Sequence, residues 1–166
     1  MTVSIRPART RDVADIRRLV DLYAAKRILL DKATVTLYED VQEFVVAETP
    51  ESGVIGCGAL HVMWEDLAEV RTLAVDPTAR GTGVGHLLLD RLVERARELG
   101  VRKVFCLTFE VDFFTAHGFQ AIEGDPVEPD VYDELVRSYD EGVAEFLGLE
   151  SVKPNILGNT RMLIEL

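Results

Sequence analysis

Cysteine is scarce in this chain of 166 residues: it has two, Cys57 and Cys106, and they do not form a Cys-x-x-Cys pair. The three histidines are not spaced as metal ligands either. A disulfide framework and a metal site are therefore not indicated, and both cysteines are predicted to be buried free thiols. No apolar run approaches the roughly 20 residues that a membrane-spanning helix needs. The N-terminus lacks the apolar core of a signal peptide, so a cytoplasmic protein is expected.

Positive charge is also in deficit. Lys and Arg together number 18 and Asp and Glu 29, which gives a net charge of −11. Nucleic acids and anionic membranes are bound largely through neutralisation of phosphates, so neither is an expected partner. The hydrophobic fraction of 48% is too high for a disordered chain, and the length predicts one domain over residues 1–166.

Hydrophobic periodicity predicts a run of strands that later alternates with helices, which is typical of a mixed α/β domain. Thr10 is the predicted N-cap of the first helix, and Thr36 and Glu39 have capping-box spacing for the second. Gly56 and Gly58, inside one strand, predict a bulge or close packing. The predicted strands are 3–6, 43–48, 54–64, 69–75, 104–108, 119–122 and 161–166. The predicted helices are 11–25, one starting at residue 36, 84–99 (apolar at 84, 87, 88, 92, 96 and 99) and 112–117, with helical elements over 131–146.

A glycine-rich loop joins a predicted strand to a predicted helix at residues 76–86. Glycines let backbone N–H groups approach phosphate oxygens, the helix N-terminus adds unpaired donors, and Arg80 adds a full charge. The loop is therefore predicted to bind a phosphate or pyrophosphate. The chain lacks the Gly-Lys-Ser/Thr that a Walker loop would need. It also lacks the Gly-x-Gly-x-x-Gly after the first strand that a dinucleotide-binding fold would need. The remaining alternative is a glycine-rich connector without a ligand.

The arrangement Arg80-x-x-Gly83-x-Gly85 resembles the acyl-CoA loop of the GNAT superfamily of N-acetyltransferases. The segment Phe113-Phe-Thr-Ala-His-Gly-Phe119 is similar to that family's aromatic-x-x-x-Gly-Phe motif. The resemblance covers nearly the whole chain. It implies a mixed, mostly antiparallel twisted sheet flanked by helices, with acetyl-CoA as co-substrate and no metal.

Three further segments, 28–32, 69–75 and 158–163, resemble the acetyltransferase domain of bacterial N-acetylglutamate synthase. This implies an enzyme that acetylates the α-amine of L-glutamate or L-glutamine, the first step of arginine biosynthesis. The domain type often dimerises, so a homodimer is an expectation. Longer relatives carry an amino-acid-kinase-like domain that senses arginine. This chain has no room for one, so that mode of feedback inhibition is not expected.

The resemblance also implies where the acyl carrier lies. In the family, the strand before the loop presents its backbone to the pantetheine arm as if to another strand, which here maps to Leu73, Ala74 and Val75. The pyrophosphate-binding turn maps to the residues that follow: Arg80, Gly81, Thr82, Gly83, Val84, Gly85 and His86.

The family also implies catalytic roles. A carboxylate at the start of this strand often serves as the base, here Glu69, whose alternative role is a solvated acid at the strand end. A strand N–H supplies the oxyanion donor, here that of Leu73. Many relatives use a Tyr as the acid near the aromatic motif, but Phe113 and Phe114 occupy that region. Thr108 is a weak substitute, and solvent is another.

An amino-acid acceptor needs partners for its carboxylate. The candidate cations are Lys32, Arg71 and Arg161, each with a plain surface role as the alternative, and the polar neighbours are Thr72, Asn159 and Thr160. Two other functions stay open. The acidic stretch over 110–150 would favour a polyamine, an antibiotic or another amine such as a protein N-terminus as acceptor. The missing Tyr would favour a non-catalytic acyl-CoA sensor.

Overall fold

The computed structural model of the chain describes residues 2–26, 29, 32–124, 127–138, 140, 143 and 159–166. By its internal contacts, the chain divides into two compact units. The first unit is Met1–His61 with Val70–Ala96, and the second is Val62–Glu69 with Arg97–Leu166. The single domain over 1–166 stays a prediction. Among the described residues, no helix combines the length and the apolar character needed to cross a membrane.

The chain alternates strands and helices in an order close to the predicted one. The strands are β1 Ser4–Pro7, β2 Phe44–Thr49, β3 Gly53–Trp64, β4 Leu67–Val75, β5 Lys103–Thr108, β6 Gln120–Ala121 and β7 Thr160–Glu165. The helices are α1 Val13–Ala24, α2 Thr34–Glu39, α3 Val84–Leu99, α4 Val111–Ala116 and α5 Pro129–Leu135. Short 3-10 turns cover Thr10–Asp12, Val41–Glu43 and Pro77–Ala79.

The strands form a seven-stranded sheet in the order β1-β2-β3-β4-β5-β7-β6. The pairs β1–β2, β2–β3, β5–β7 and β6–β7 are antiparallel, and β4–β5 is parallel. A parallel pair needs a crossover connection, and α3 provides it. The prediction of a mixed, mostly antiparallel sheet flanked by helices is confirmed.

In the first unit, α1 buries the face that its sequence periodicity predicts: Val13, Ile16, Leu19, Val20 and Tyr23 are at most 7% exposed. They pack in one cluster with residues of β2 and β3. A helix whose apolar residues recur every three to four positions gains its stability from burying that face.

The two strand glycines mark close packing of α3 on β3. A Cβ atom at Gly56 would lie 2.9 Å from Leu88 Cδ1, and one at Gly58 would lie 2.9 Å from Leu92 Cδ1. Since real Cβ atoms do not approach other carbons so closely, a larger residue at either position would force the side chain of Leu88 or Leu92 to shift. The predicted close packing is confirmed, and the bulge in this ladder falls beside it, at Ala47/Glu48.

In the second unit, a smaller core gathers Met63, Leu67, Phe105 and Leu135. The rings of Phe114 and Phe119 pack edge to face, with centroids 5.1 Å apart. This places the aromatic motif of the sequence in a packing role within the unit.

Several local predictions are wrong. Leu87 and Leu99 of α3 are 45% and 46% exposed, because Leu89 and Val93 take their places on the buried face. The N-cap of the first turn is Arg9 rather than Thr10. The second helix begins at Thr34 after the N-cap Ala33, so Thr36 lies inside it.

Some predicted positions fall outside the described residues. These are 28, 30, 31 and 158 in the segments that resemble N-acetylglutamate synthase, and 139, 141, 142 and 144–146 in the predicted helical stretch.

Arg6 ties β1 to the start of α1 and to β2. Its guanidinium donates to Asp12 at 2.7 and 3.0 Å and to Glu48 at 2.9 and 2.8 Å. Asp12 is 4% exposed and also accepts the Arg9 N–H at 2.7 Å. The hydrogen bonds from Arg6 hold the pKa of Asp12 below its ordinary value.

Arg6→Gln is expected to lower the free energy of unfolding by about 3 kcal/mol at pH 7, because it leaves the buried Asp12 carboxylate without its cationic partner. Since the folded pKa of Asp12 is the lower one, the stabilisation is present above the ordinary aspartate pKa and is lost as pH falls through the folded value. Urea unfolding at pH 7 and pH 3 measures both effects. The exposed Arg102→Gln is the matched control, and an equal loss there would contradict the assignment.

Candidate active site

The loop between β4 and α3 is held by hydrogen bonds at its entry. The Asp76 carboxylate accepts the Thr78 N–H at 3.0 Å and the Thr78 hydroxyl at 2.8 Å. Arg18 of α1 donates to the same carboxylate at 2.7 Å and to the Val54 carbonyl at 3.0 Å. These bonds, those from Thr78 first, lower the pKa of Asp76. The turn is therefore fixed by the protein itself.

Two glycines of the loop occupy the left-handed region that L side chains rarely adopt. Gly81 has φ +76° and Gly83 has φ +86°. A Cβ atom added at either would meet no atom within 4 Å. The backbone conformation therefore demands glycine, while the space in front of the backbone is open to a ligand.

The N–H groups of this turn indicate an anion-binding site. Leu87 N–H donates to the Gly83 carbonyl at 3.2 Å, which makes Gly83, a residue without a side chain, the N-cap of α3. Over the described stretch 32–124, the N–H groups of Gly81, Thr82, Gly83 and Val84 donate to no protein acceptor. They lie at the positive end of a 16-residue helix. Such an arrangement binds phosphate oxygens, so the residues present fit a diphosphate.

The remaining loop residues flank these donors. Arg80 is exposed and opens the loop, and His86 is exposed in the first turn of α3. The Thr82 hydroxyl donates to the Ala79 carbonyl at 2.5 Å, which tightens the turn. The predicted pyrophosphate residues therefore share one loop of the first unit.

β4 contains an irregularity that the sequence does not signal. Thr72 has φ +56°, the one positive φ recorded for a non-glycine residue in the described ranges. A β-branched residue in this region is strained by roughly 1–3 kcal/mol, and strain of this kind is common at functional sites. The conformation also interrupts the regular alternation of side chains along β4 at Thr72.

In the second unit, Glu69 is a buried carboxylate at 4% exposure. The parallel ladder places it opposite Phe105 of β5. The next residue of β5, Cys106, has its thiol pKa raised by burial first and by the charge of Glu69 second. Glu69 is therefore not the solvated strand-end acid that was its alternative.

The other predicted residues of the second unit meet on β5 and β7. Thr108 is paired with Thr160 and Leu107 with Arg161. The Thr108 hydroxyl oxygen accepts the Glu110 N–H at 2.8 Å, and an Arg161 nitrogen donates to the Gly124 carbonyl at 3.2 Å. Asn159 directly precedes this strand.

A charged group in the first unit, here called the Asp40 cluster, brings together two of the predicted cations. The charges of Lys32 and Arg71 both act on the Asp40 carboxyl, as do those of His61 and Glu43. Nδ1 of His61 is hydrogen-bonded to Oε1 of Glu43. Oε2 of Glu43 is buried and has no hydrogen-bond partner within the described part of the chain.

The Asp40 cluster predicts a pH-dependent stability. Burial, then the Glu43 charge, raises the pKa of Asp40, and the three cationic groups oppose this only partly. A raised folded pKa means that the ionised carboxyl costs stability as pH rises through that value. Asp40→Asn is therefore expected to raise the melting temperature at pH 7 and to leave it unchanged near pH 3. The exposed Glu39→Gln is the control, and a lower melting temperature for Asp40→Asn at pH 7 would contradict this.

Comparison with known proteins decides the family. The model of the acetyltransferase (GNAT) family matches residues 14–119. An amino-acid acetyltransferase of Mycobacterium tuberculosis is 61% identical over 164 residues, which are 98% of this chain and 94% of that protein. The chain belongs to the GNAT acetyltransferase family.

Solved structures agree with that assignment. A crystal structure of a Mycobacterium tuberculosis protein in complex with CoA is 60% identical, has a TM-score of 0.93, and is matched over 98% of this chain and 99% of that one. N-acetylglutamate synthase of Neisseria gonorrhoeae, complexed with CoA and N-acetyl-glutamate, is 25% identical with a TM-score of 0.79. That match takes in 100% of this chain but 35% of the synthase. The predicted GNAT family, N-acetyltransferase class and acetyl-CoA co-substrate are confirmed.

In this GNAT protein, the sequence prediction misses the residues that support the loop and the cations. Arg18 and Tyr23 of α1 contact the loop region, yet their sequence signals are those of an exposed and a buried helix residue. Asp40 and Glu43 carry no motif at all. The individual roles of the predicted site residues stay predictions.

Proposed function

We propose that this chain transfers the acetyl group of acetyl-CoA to the α-amine of L-glutamate or L-glutamine, the first step of arginine biosynthesis. One observation supports the use of an acyl carrier: at the positive end of α3, the N–H groups from Gly81 to Val84 have no acceptor among the residues that the structure describes. The acceptor half is supported by the amino-acid acetyltransferase of Mycobacterium tuberculosis and by the N-acetyl-glutamate bound to the gonococcal synthase. The cytoplasmic location and the homodimer remain predictions.

Glu69 takes the role of general base. The α-amine of an amino acid is mostly protonated at neutral pH and must lose a proton before its nitrogen can attack the thioester. The buried carboxylate of Glu69 accepts that proton, which frees the nitrogen to form its bond to the acetyl carbon. The Leu73 N–H donates to the acetyl oxygen as its negative charge develops. When the carbon–sulfur bond breaks, the nitrogen releases its second proton to solvent. The thiolate takes a proton from solvent, either directly or through the Thr108 hydroxyl, which solvent reprotonates in the same step.

The acceptor's carboxylate is assigned to the cations of the Asp40 cluster. Lys32 and Arg71 both act on Asp40, so their charges converge on one region of the first unit. A carboxylate is recognised best by such charge-assisted hydrogen bonds. Thr72, Asn159, Thr160 and Arg161 complete the set of predicted substrate contacts.

A thiol-release assay with acetyl-CoA and DTNB tests this function across the L-amino acids and a polyamine. Cys57 and Cys106 are 0% and 1% exposed, so the folded protein itself adds little signal. Glutamate or glutamine is expected to give a kcat/KM at least about tenfold above the other amines, because only they satisfy the predicted contacts. Turnover of the polyamine alone, or CoA binding without turnover of any amine, would overturn the proposal.

A further inference from the structure

Tyr23 of α1 contacts the acyl-carrier loop region at two places. Its hydroxyl donates to the carbonyl of Val75, the last residue of β4. Its ring lies beneath Arg80, whose guanidinium carbon is 5.7 Å from the ring centroid. Tyr23 itself is 7% exposed and is anchored in the core of the first unit. One side chain therefore contacts both the first and the last residue of the stretch 75–80.

The cation–π contact restricts an exposed arginine before any ligand arrives. A free arginine samples many rotamers, and ordering such a side chain on binding costs affinity. A guanidinium placed over an aromatic ring keeps its N–H edge available for an anion while its flat face rests on the ring. Arg80 is thus held where it opens the diphosphate-binding turn.

The hydrogen bond from the Tyr23 hydroxyl helps to fix the path of the chain at the end of β4. The Val75 carbonyl has two lone pairs, and the Tyr23 hydroxyl engages one of them. Asp76 N–H, the next group along, donates to the Ile55 carbonyl at 2.8 Å, and the Asp76 carboxylate holds Thr78. The direction in which the chain leaves β4 is consequently fixed from α1 as well as from β3.

We propose that Tyr23 is a positioning residue for acyl-carrier binding, acting through Arg80 and the Val75 carbonyl. The inference rests on the proposed use of acetyl-CoA by this loop. Tyr23 is not a catalytic residue in this account, because it acts on the carrier only through its two neighbours. The role therefore predicts a change in carrier affinity with little change in the chemical step.

The test compares Tyr23→Phe, which removes the hydroxyl, with Tyr23→Leu, which also removes the ring, each with and without Arg80→Gln. Tyr23→Phe is expected to raise the KM for acetyl-CoA about three- to tenfold, the effect of one lost hydrogen bond, with kcat nearly unchanged. Tyr23→Leu is expected to add about two- to fivefold, and this extra step should vanish in the Arg80→Gln background. Calorimetric titration with CoA should show the same changes.

The exposed Tyr38→Phe is the matched control, and its KM should equal that of the unaltered chain. A Tyr23→Phe variant with a lower melting temperature but an unchanged KM would overturn the proposal, since a purely structural residue behaves in that way. So would a Phe-to-Leu difference that persists in the Arg80→Gln background. If Tyr23→Leu does not fold, the KM of Tyr23→Phe decides alone. Absence of CoA binding by the unaltered chain would overturn the proposed function too, whereas normal CoA binding with unaffected Tyr23 variants overturns this inference only.

Discussion

Glu69→Gln is expected to lower kcat by about two to three orders of magnitude, the usual contribution of a positioned general base. The substitution keeps the size and shape of a side chain that is 4% exposed, while it removes the negative charge and with it the capacity to accept a proton. Without that base, the reaction depends on the small fraction of acceptor that is already unprotonated. The rate of the variant should therefore continue to rise at alkaline pH, where that of the unaltered chain has levelled off.

The experiment is a pH series of kcat and KM, with Glu65→Gln as the control. Glu65 is an exposed glutamate in the turn between β3 and β4, so its substitution changes the net charge equally without touching a buried site. The KM for acetyl-CoA should be similar in all three proteins. A Glu69→Gln variant with the pH profile of the unaltered chain would remove Glu69 from the mechanism.

Elements with a strong periodic pattern were predictable. The helix expected over 84–99 has those bounds in the structure, because a sustained apolar stripe and the terminal Gly100 both mark it. The glycines and Arg80 in front of it predicted a diphosphate-binding loop by the same logic, because the left-handed backbone at Gly81 and Gly83 has a direct sequence signature. Sequence patterns predict a feature well when neighbouring residues in the chain determine that feature.

Features that depend on distant contacts were not predictable. Thr10 was the predicted N-cap, but the structure has Arg9 there. The Asp12 carboxylate accepts the Arg9 N–H and is held by Arg6 from another element. Thr72 adopts a positive φ that its residue type disfavours, so sequence propensity points to a regular strand. At the start of α1, tertiary contacts override the local preference.

The residues of the candidate site also fall into two groups, those that the sequence signals and those that it does not. Lys32 and Arg71 were predicted because a carboxylate substrate needs cations. Asp40 was missed, since an acid at the end of a short helix is typical of solvated surface. Only the folded chain shows that the charges of Lys32 and Arg71 act on the Asp40 carboxyl. Supporting residues around a binding site rarely have a motif, because their role depends on which side chains they face.

Gly83→Val is the second prediction with a large expected effect, a rise in the KM for acetyl-CoA of about tenfold or more with kcat much less affected. Gly83 has φ +86°, and open space lies in front of its Cα. A valine there must either strain the turn or move it, and its methyl groups would fill the space through which the N–H groups reach the diphosphate. Each charge-assisted hydrogen bond lost costs about 1.5–3 kcal/mol, so losing even one accounts for a tenfold change.

The control for Gly83→Val is built into the same unit. Gly53, the first residue of β3, also has a positive φ of +68° and no atom within 4 Å of an added Cβ. Gly53→Val therefore carries the same type of backbone strain at a position remote from the loop in sequence. Both variants should lose a similar amount of thermal stability, about 1–2 kcal/mol each for a left-handed non-glycine residue. Only Gly83→Val should lose affinity for CoA, measured by calorimetric titration without acceptor. Equal affinities of the two variants for CoA would show that the turn does not bind the carrier. Backbone strain alone would then explain the effects of Gly83→Val.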